Sequence, residues 1–366
     1  VAPAPPAPVM PPTVIVTGGA GFIGRNLTQK LLDGGLRVVS LDNASDVKRK
    51  LMLQDIVADK SQFIDVQGDA RSREIVSQLL RQYEPRAVVH LAAEIGVDQS
   101  IEDPLGSVEP NVAGALNMLQ CCEIYRYIKS HQQQPFKVLI ASTDQVYGSA
   151  IAGTTSAFTE EDSLYPSSPH SASKVAVEAL ALSYFRTFEL PVVISRCATT
   201  YGPFQSPNHL IPATVSRCND AHPLHVYGDG FYNRQWLHVS DHVEALMLLL
   251  KHGEPGEIYN VGTKWFSTVG NIVGDIRRMC RSKSEIVNVT DRPGHDRWLT
   301  IRSDKIESLG WRPRVPLSRG LSSTVSWYMA RREWVRQIER LEEFNRQRVG
   351  LGRHNMGQLA IAQVEQ

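Results

Sequence analysis

No stretch of the 366 residues approaches the roughly 20 consecutive apolar residues of a membrane-spanning helix, Ala245 to Leu250 being only a short helical segment. Charge of one sign is not in surplus either. The 39 Lys+Arg against 38 Asp+Glu leave a net +1, which argues against nucleic acid or an anionic membrane surface as a partner. Cysteine is sparse: Cys121, Cys122, Cys197, Cys218 and Cys280 are odd in number and lack paired zinc spacing, so no metal is expected and a reducing compartment fits best. Internal repeats are missing. What remains is a 42% hydrophobic chain, enough for one large or two modest globular domains with a substantial core. Residues 1–12, rich in proline and alanine, are expected to form a disordered or polyproline tail, and Val349 to Gln366 a second disordered segment. The chain starts at Val1 rather than methionine, as removal of an upstream segment would leave it; a cytoplasmic location is expected, with the mitochondrial matrix after presequence removal as the alternative.

The sequence is organised around Thr17-Gly18-Gly19-Ala20-Gly21-Phe22-Ile23-Gly24, set between the apolar run Val14-Ile15-Val16 and an amphipathic stretch starting at Phe22. A strand, a glycine turn and a helix in that order make an anion site: Gly18, Gly21 and Gly24 permit a tight turn and close backbone approach to a pyrophosphate, while the free N–H groups of the helix start face the phosphates. Three glycines in eight residues often make only a loop, so the confirming context matters. A second strand, Arg37 to Asp42, ends in a carboxylate about 20 residues on, suited to ribose hydroxyls and repulsive to a 2′-phosphate. NAD is therefore expected in preference to NADP, the alternative being a Rossmann-like scaffold that holds nothing.

Short apolar runs then alternate with helical segments, the pattern of an α/β doubly wound parallel sheet. Gln62 to Val66, Ala87 to Leu91, Lys137 to Ala141 and Pro191 to Ser195 read as strands; Arg71 to Tyr83, Asn111 to Lys129 and Ser168 to Phe188 read as helices. The ligand crevice of such a sheet lies beyond the carboxyl ends of its strands, where Gly18, Asp42, Asp69, Ala92 and Thr143 fall. From Phe204 onward prolines, aromatics and irregular stretches multiply. Residues 13–195 are thus expected to form the dinucleotide domain and 196–330 a smaller C-terminal substrate-binding lobe with a discontinuous boundary, followed over 331–366 by a charged helix, read as a solvated face, and a tail.

Seven blocks carry a resemblance: Thr17 to Gly24, Ala92-Ala93-Glu94 with Val97-Asp98, Ser142 to Gly148, Pro166 to Lys174, Tyr201-Gly202-Pro203, Val226 to Gly230 and Asp291 to Arg297. In this order they resemble the extended short-chain dehydrogenase/reductase (NAD-dependent epimerase/dehydratase) family, and within it the dTDP-glucose 4,6-dehydratases, over about Thr13 to Trp334. The resemblance implies a lyase in which NAD takes a hydride from C4 of a nucleotide-linked hexose, water leaves across C5 and C6, and the hydride returns at C6. It implies cofactor contacts from Gly18, Gly21, Phe22, Ile23, Gly24, Asp42, Asn43, Asp69, Ala70, Leu91, Ala92, Ala93 and Lys174. Substrate contacts are implied for Glu94, Asn208, Tyr227, Arg234, Arg292 and His295.

Five side chains divide the family's chemistry, and this sequence departs at two. Thr143, Asp144 and Lys174 agree with the pattern; the tyrosine that takes the C4 hydroxyl proton is His170, and the glutamate that removes the C5 proton is Gln145. Gln145 is a neutral amide and cannot accept that proton, and a missing general base costs about 10²- to 10⁴-fold. Imidazole is a competent base, and beside Lys174 its pKa is expected to fall. Its nitrogen nevertheless ends roughly 2 Å short of a tyrosine hydroxyl, where misplacements of about 1 Å cost on the order of 10² in rate. Thr199-Thr200, Trp265-Phe266 and Trp298 replace residues that are polar or basic in the family, which predicts a bulkier, less polar pocket. Two functions are therefore carried forward: a nucleotide-sugar enzyme with impaired dehydration, or a catalytically silent NAD-binding subunit of a larger assembly. The resemblance also implies a homodimer through the helices at Asn111 to Lys129 and Ser168 to Phe188.

Overall fold

The computed structural model describes residues 11–56, 61–129, 135–150 and 157–348. Most of the expected N-terminal tail and the segment 349–366 lie outside these residues, but Pro12 already belongs to the fold, its carbonyl accepting from Arg37 N at 3.0 Å. Among the described residues no helix is long and apolar enough to cross a membrane.

The first six strands, β1 (Thr13–Thr17), β2 (Arg37–Asp42), β3 (Phe63–Gln67), β4 (Ala87–His90), β5 (Lys137–Thr143) and β6 (Val192–Cys197), are all parallel where they pair. Then come β7 (Thr199–Tyr201), β8 (Leu224–Tyr227) and β9 (Asn233–His238), after which β10 (Ile258–Val261) returns to pair with β6. The resulting seven-stranded order is β10-β6-β5-β4-β1-β2-β3, a Rossmann-like doubly wound sheet.

Alternation along each strand sends neighbouring residues to opposite faces. Val14, Val16 and Val38 meet α1 (Phe22–Asp33) and α8 (Val239–His252) through Leu27, Leu31, Leu246 and Leu249. Ile15, Val39 and Val88 meet α3 (Arg73–Tyr83), α5 (Pro104–Lys129) and α6 (Pro169–Phe188) through Leu79, Met118 and Val177. Helix α5 begins seven residues before the expected Asn111. Asp103 Oδ1 accepts from Gly106 N at 2.9 Å at its start, and Pro110 removes one internal donor without ending the helix. Ser168 caps α6 with a reciprocal Ser168–Ser171 box followed by Pro169 in the first turn, which fixes where His170 and Lys174 emerge.

The second lobe is built on β9, flanked by β11 (Phe266–Thr268), β13 (Trp298–Leu299) and β7, with β8 pairing separately with β12 (Ile286–Val289). Its core joins α7 (Leu210–Asn219), α9 (Val269–Met279), α11 (Leu317–Ala330) and α12 (Arg332–Arg348) to Met52 and Leu53 of α2 (Asp46–Leu53). Two short helices, α4 (Val97–Glu102) and α10 (Asp304–Ser308), complete the chain. The expectation of a solvated C-terminal helix is corrected here: Trp334, Val335 and Ile338 recur on one face of α12 and are buried, leaving the charges to the other faces. Trp334 Nε1 donates to Leu51 O at 3.1 Å, so α12 reaches the dinucleotide half.

Candidate active site

The glycine turn closes tightly. Gly18 has φ +70, and a Cβ added at Gly24 would lie 2.0 Å from Gly18 O, so neither position tolerates a side chain without moving backbone. Gly21 is the N-cap of α1 and offers no side-chain cap, which leaves the first amide donors of the helix free for an anion. Phe22 and Ile23 open that helix and Gly24 packs it on the turn. Asp42 is buried at the end of β2, its Oδ2 accepting from Ala20 N at 3.0 Å and its Oδ1 from Ala44 N at 2.9 Å; burial raises its pKa. Asn43 beside it is exposed. These residues fit a dinucleotide with free ribose hydroxyls. The Asp69 carboxylate is held by Arg71 at 2.7 Å, a hydrogen bond that lowers its pKa, while Ala70 O accepts from Asn117. Leu91, Ala92 and Ala93 follow β4 with half-buried side chains, Ala92 N donating to Thr17 Oγ1 at 3.3 Å.

Thr143 ends β5 and Asp144 opens the 3-10 turn Asp144–Tyr147, so the parallel register sets Thr143 opposite Cys197 of β6 and just past the end of β4. Thr143 Oγ1 donates to Asp144 Oδ1 at 3.2 Å and accepts from Gln145 N at 3.3 Å. Asp144 is 1% exposed, and its Oδ2 has no hydrogen-bond partner among the described residues. Burial, opposed mainly by the charge of Arg234, raises its pKa from 3.8 to about 7, so near neutrality about half of it is the protonated acid. Gln145 is half-buried.

His170 and Lys174 emerge one turn apart on α6 and are both buried. His170 Nδ1 lies 3.1 Å from Glu94 O, and a carbonyl only accepts, so the proton sits on Nδ1 and the lone pair on Nε2. Ser100 Oγ accepts from His170 N at 3.2 Å. Burial first and Lys174 second lower the His170 pKa to about 4. Lys174 Nζ donates to Ala141 O at 3.1 Å, and burial lowers its pKa to about 8. Glu94 contributes backbone to this arrangement: its N–H donates to Asn111 Oδ1 at 2.6 Å and its O also accepts from Asn111 Nδ2. Its carboxyl pKa is raised by burial.

From the second lobe Tyr227, Arg292 and His295 gather around two aspartates. Arg292 Nε lies 3.2 Å from Asp98 Oδ1 and its guanidinium 4.8 Å from the Tyr227 ring, while Tyr227 OH reaches Asp98 Oδ2 at 3.4 Å. His295 stacks on Tyr232 at 3.8 Å and contacts Asp291 Oδ1 at 2.8 Å; burial lowers its pKa to about 4. Arg234 is buried and donates to the carbonyls of Asn233, Asp296 and Arg297. Asn208 does not join this group. Its Nδ2 donates to Glu342 Oε2 at 2.7 Å, as does Ser206 Oγ, and Glu342 Oε1 pairs with Lys48 at 3.0 Å. Phe266 and Trp298 stay 44% and 40% exposed.

Sequence reasoning left several participants without a role. Asp98 stood inside a recognised block, but its pairing with Arg292 needs the two lobes together. Glu178 and Arg196 form a buried ion pair at 2.7 Å that ties α6 to β6, Ser142 Oγ donating to the same carboxylate at 2.5 Å and Arg196 Nη1 to Tyr147 OH at 2.7 Å. This network stands directly behind Thr143 and Lys174. Glu342 gave no local signal, being one carboxylate in a charged run.

A family model described as GDP-mannose 4,6 dehydratase matches residues 15–324. A dTDP-glucose 4,6-dehydratase of Xanthomonas campestris pv. campestris is 38% identical over 338 residues, covering 89% of this chain and 95% of that protein. Among solved structures, the dTDP-glucose 4,6-dehydratase of Streptomyces venezuelae with NAD bound superposes with TM-score 0.82 at 36% identity, over 89% of this chain and 99% of that one. The UDP-glucose 4-epimerase of Thermus thermophilus in complex with NAD reaches TM-score 0.78 at 30% identity, over 87% and 99%. The chain belongs to the GDP-mannose 4,6 dehydratase family, within the NAD-dependent epimerases and dehydratases of nucleotide sugars.

Proposed function

We propose that this chain holds NAD and a nucleotide sugar across the carboxyl edge of the main sheet, and that its loss of water across C5 and C6 is impaired. NAD, when bound, supplies the acceptor and donor of a hydride at C4 and C6 of the sugar. The chain's residues supply the rest. The glycine turn and Asp42 hold the dinucleotide, and Thr143 and His170 flank the C4 hydroxyl. Asp144, about half protonated near neutrality, is suited to give a proton to a departing hydroxyl. Gln145 offers no lone pair basic enough to take the C5 proton. The observation that carries the reading is Gln145, half-buried beside Asp144 and an amide where the resemblance implies the base for the C5 proton; the His170 imidazole, held through Nδ1 on the Glu94 carbonyl with a pKa of about 4, is in addition a weak base for the C4 hydroxyl proton. A second reading, a catalytically silent subunit, is favoured by Asn208, whose amide is taken by Glu342 of α12.

The test is incubation with dTDP-glucose, UDP-glucose and GDP-mannose, followed by the alkaline absorbance of a 4-keto-6-deoxy sugar. The unmodified chain is expected to be at least about 10²-fold slower than a His170→Tyr/Gln145→Glu double variant, the cost of an absent base. Brisk turnover by the unmodified chain would sink the impairment. If neither form binds any of the three nucleotide sugars, the substrate class is wrong.

We also propose a homodimer through α5 and α6. Leu105, Tyr127 and Ile128 on α5 are 80%, 76% and 63% exposed and Phe188 on α6 is 45% exposed, apolar surface that a second copy would cover.

A further inference from the structure

Of the five cysteines, Cys122 and Cys197 lie in or beside the main sheet, where burial raises their thiol pKa values, and Cys121 adjoins Cys122 on α5. The remaining two come from distant parts of the chain. Cys218 is in the last turn of α7 and Cys280 caps the C-terminus of α9. Those helices pack side by side in the core of the second lobe, with Cys218 inside that core and Cys280 packed against it, and the segment just after Cys280 touches the Cys218 backbone through Ser282. Their backbones are fixed independently: Cys280 N donates to Ile276 O at 2.8 Å, and Ser282 Oγ donates to Cys218 O at 3.4 Å.

The surroundings suit thiol chemistry. The positive charge of Arg277 in the last turn of α9 acts to lower the Cys218 pKa, and that of Arg332 at the start of α12 acts in the same direction on Cys280. The thiol of Cys280 is the main influence lowering Cys218 to about 7. Nearby positive charge favours the thiolate, the form that attacks disulfides. Cys218 is buried while Cys280 is partly exposed, so a small oxidant has an approach from one side.

We infer that Cys218 and Cys280 form a dithiol site that a small-molecule disulfide such as oxidised glutathione converts to an intramolecular disulfide. One thiolate of the pair, its proton released to solvent, attacks a sulfur of glutathione disulfide. The S–S bond breaks, and one glutathione leaves as thiolate and takes up a proton. The second cysteine, deprotonated in turn, attacks the mixed disulfide and expels the other glutathione. Two protein thiols are oxidised by two electrons and one glutathione disulfide is reduced to two glutathione thiols. The bond closes a loop of 62 residues, counted as 280 minus 218. By chain entropy such a loop shifts the unfolding equilibrium by on the order of 10³-fold toward the folded state.

The test uses the full chain equilibrated in reduced-to-oxidised glutathione buffers, quenched with acid and alkylated, then read by intact mass and peptide mapping. Expected is the loss of two hydrogen masses and one cross-linked peptide joining Cys218 to Cys280, absent from Cys218→Ser and Cys280→Ser, each of which keeps a stable glutathione adduct on its remaining thiol. Circular dichroism of the two variants checks that they fold; the oxidised wild type should unfold at higher urea than the reduced form, with no such shift in either variant. Failure of the 218–280 peptide to form in the most oxidising buffer, or its replacement by links to Cys121, Cys122 or Cys197, overturns the inference.

Discussion

Asp144→Asn separates a buried neutral carboxylic acid from a buried carboxylate. Asp144 is 1% exposed and its pKa rises from 3.8 to about 7 in the folded chain, a little over three units. At about 1.4 kcal/mol per unit this destabilises the fold by about 4 kcal/mol at pH 8, where the carboxylate is ionised in both states, and by about 1.5 kcal/mol at pH 5. Because the folded pKa is raised, the native state binds more protons than the unfolded state between pH 3.8 and 7, so stability falls as pH rises through that window. His170 and His242, lowered to about 4, and His90, lowered to about 3, slope the opposite way below pH 6.5. The wild-type curve alone therefore cannot isolate Asp144, but the difference between wild type and Asp144→Asn can. Urea unfolding followed by tryptophan fluorescence should show the variant gaining on wild type by about 2.5 kcal/mol between pH 5 and pH 8, whatever constant offset the amide introduces. A difference constant to within about 0.5 kcal/mol would mean that Asp144 is ionised throughout, and the acid role assigned to it would fall.

Glu342→Ala removes the ion pair to Lys48 and the acceptor shared by Ser206 and Asn208, and should cost about 1 to 2 kcal/mol in urea unfolding, the pair being only partly exposed. No loss would show that α12 is held by Trp334, Val335 and Ile338 alone. Ile128→Glu places a charge on the exposed face of α5 and should yield monomers by light scattering at concentrations where the wild type pairs; an unchanged mass for the variant refutes α5 as the interface.

The fold was legible because its signals are local. Each strand of the main sheet through β6 is a short apolar run, and glycine, Asp42 and strand ends recur at the spacing that one βαβ unit needs. The boundaries that slipped did so for local reasons too. The expected start at Asn111 falls just after Pro110, but a proline costs one hydrogen bond and α5 has enough packing against α6 and α3 to run through it. What was not legible depends on distance. The apolar stripe of α12 is only three residues in a charged run, and nothing near Glu342 announces that Lys48, Ser206 and Asn208 converge on it. The tautomer of His170 could not be read either, since the carbonyl that fixes it belongs to Glu94, 76 residues earlier.

The seventh strand of the main sheet makes the two lobes one mechanical unit. β10 covers the edge of β6, yet it is reached only after the chain has passed through β7, β8, β9 and α8. A polypeptide cut near residue 195 would present β6 with a bare row of amides and carbonyls, the kind of edge along which chains aggregate. The dinucleotide half expressed alone would therefore lack one edge strand of its own sheet.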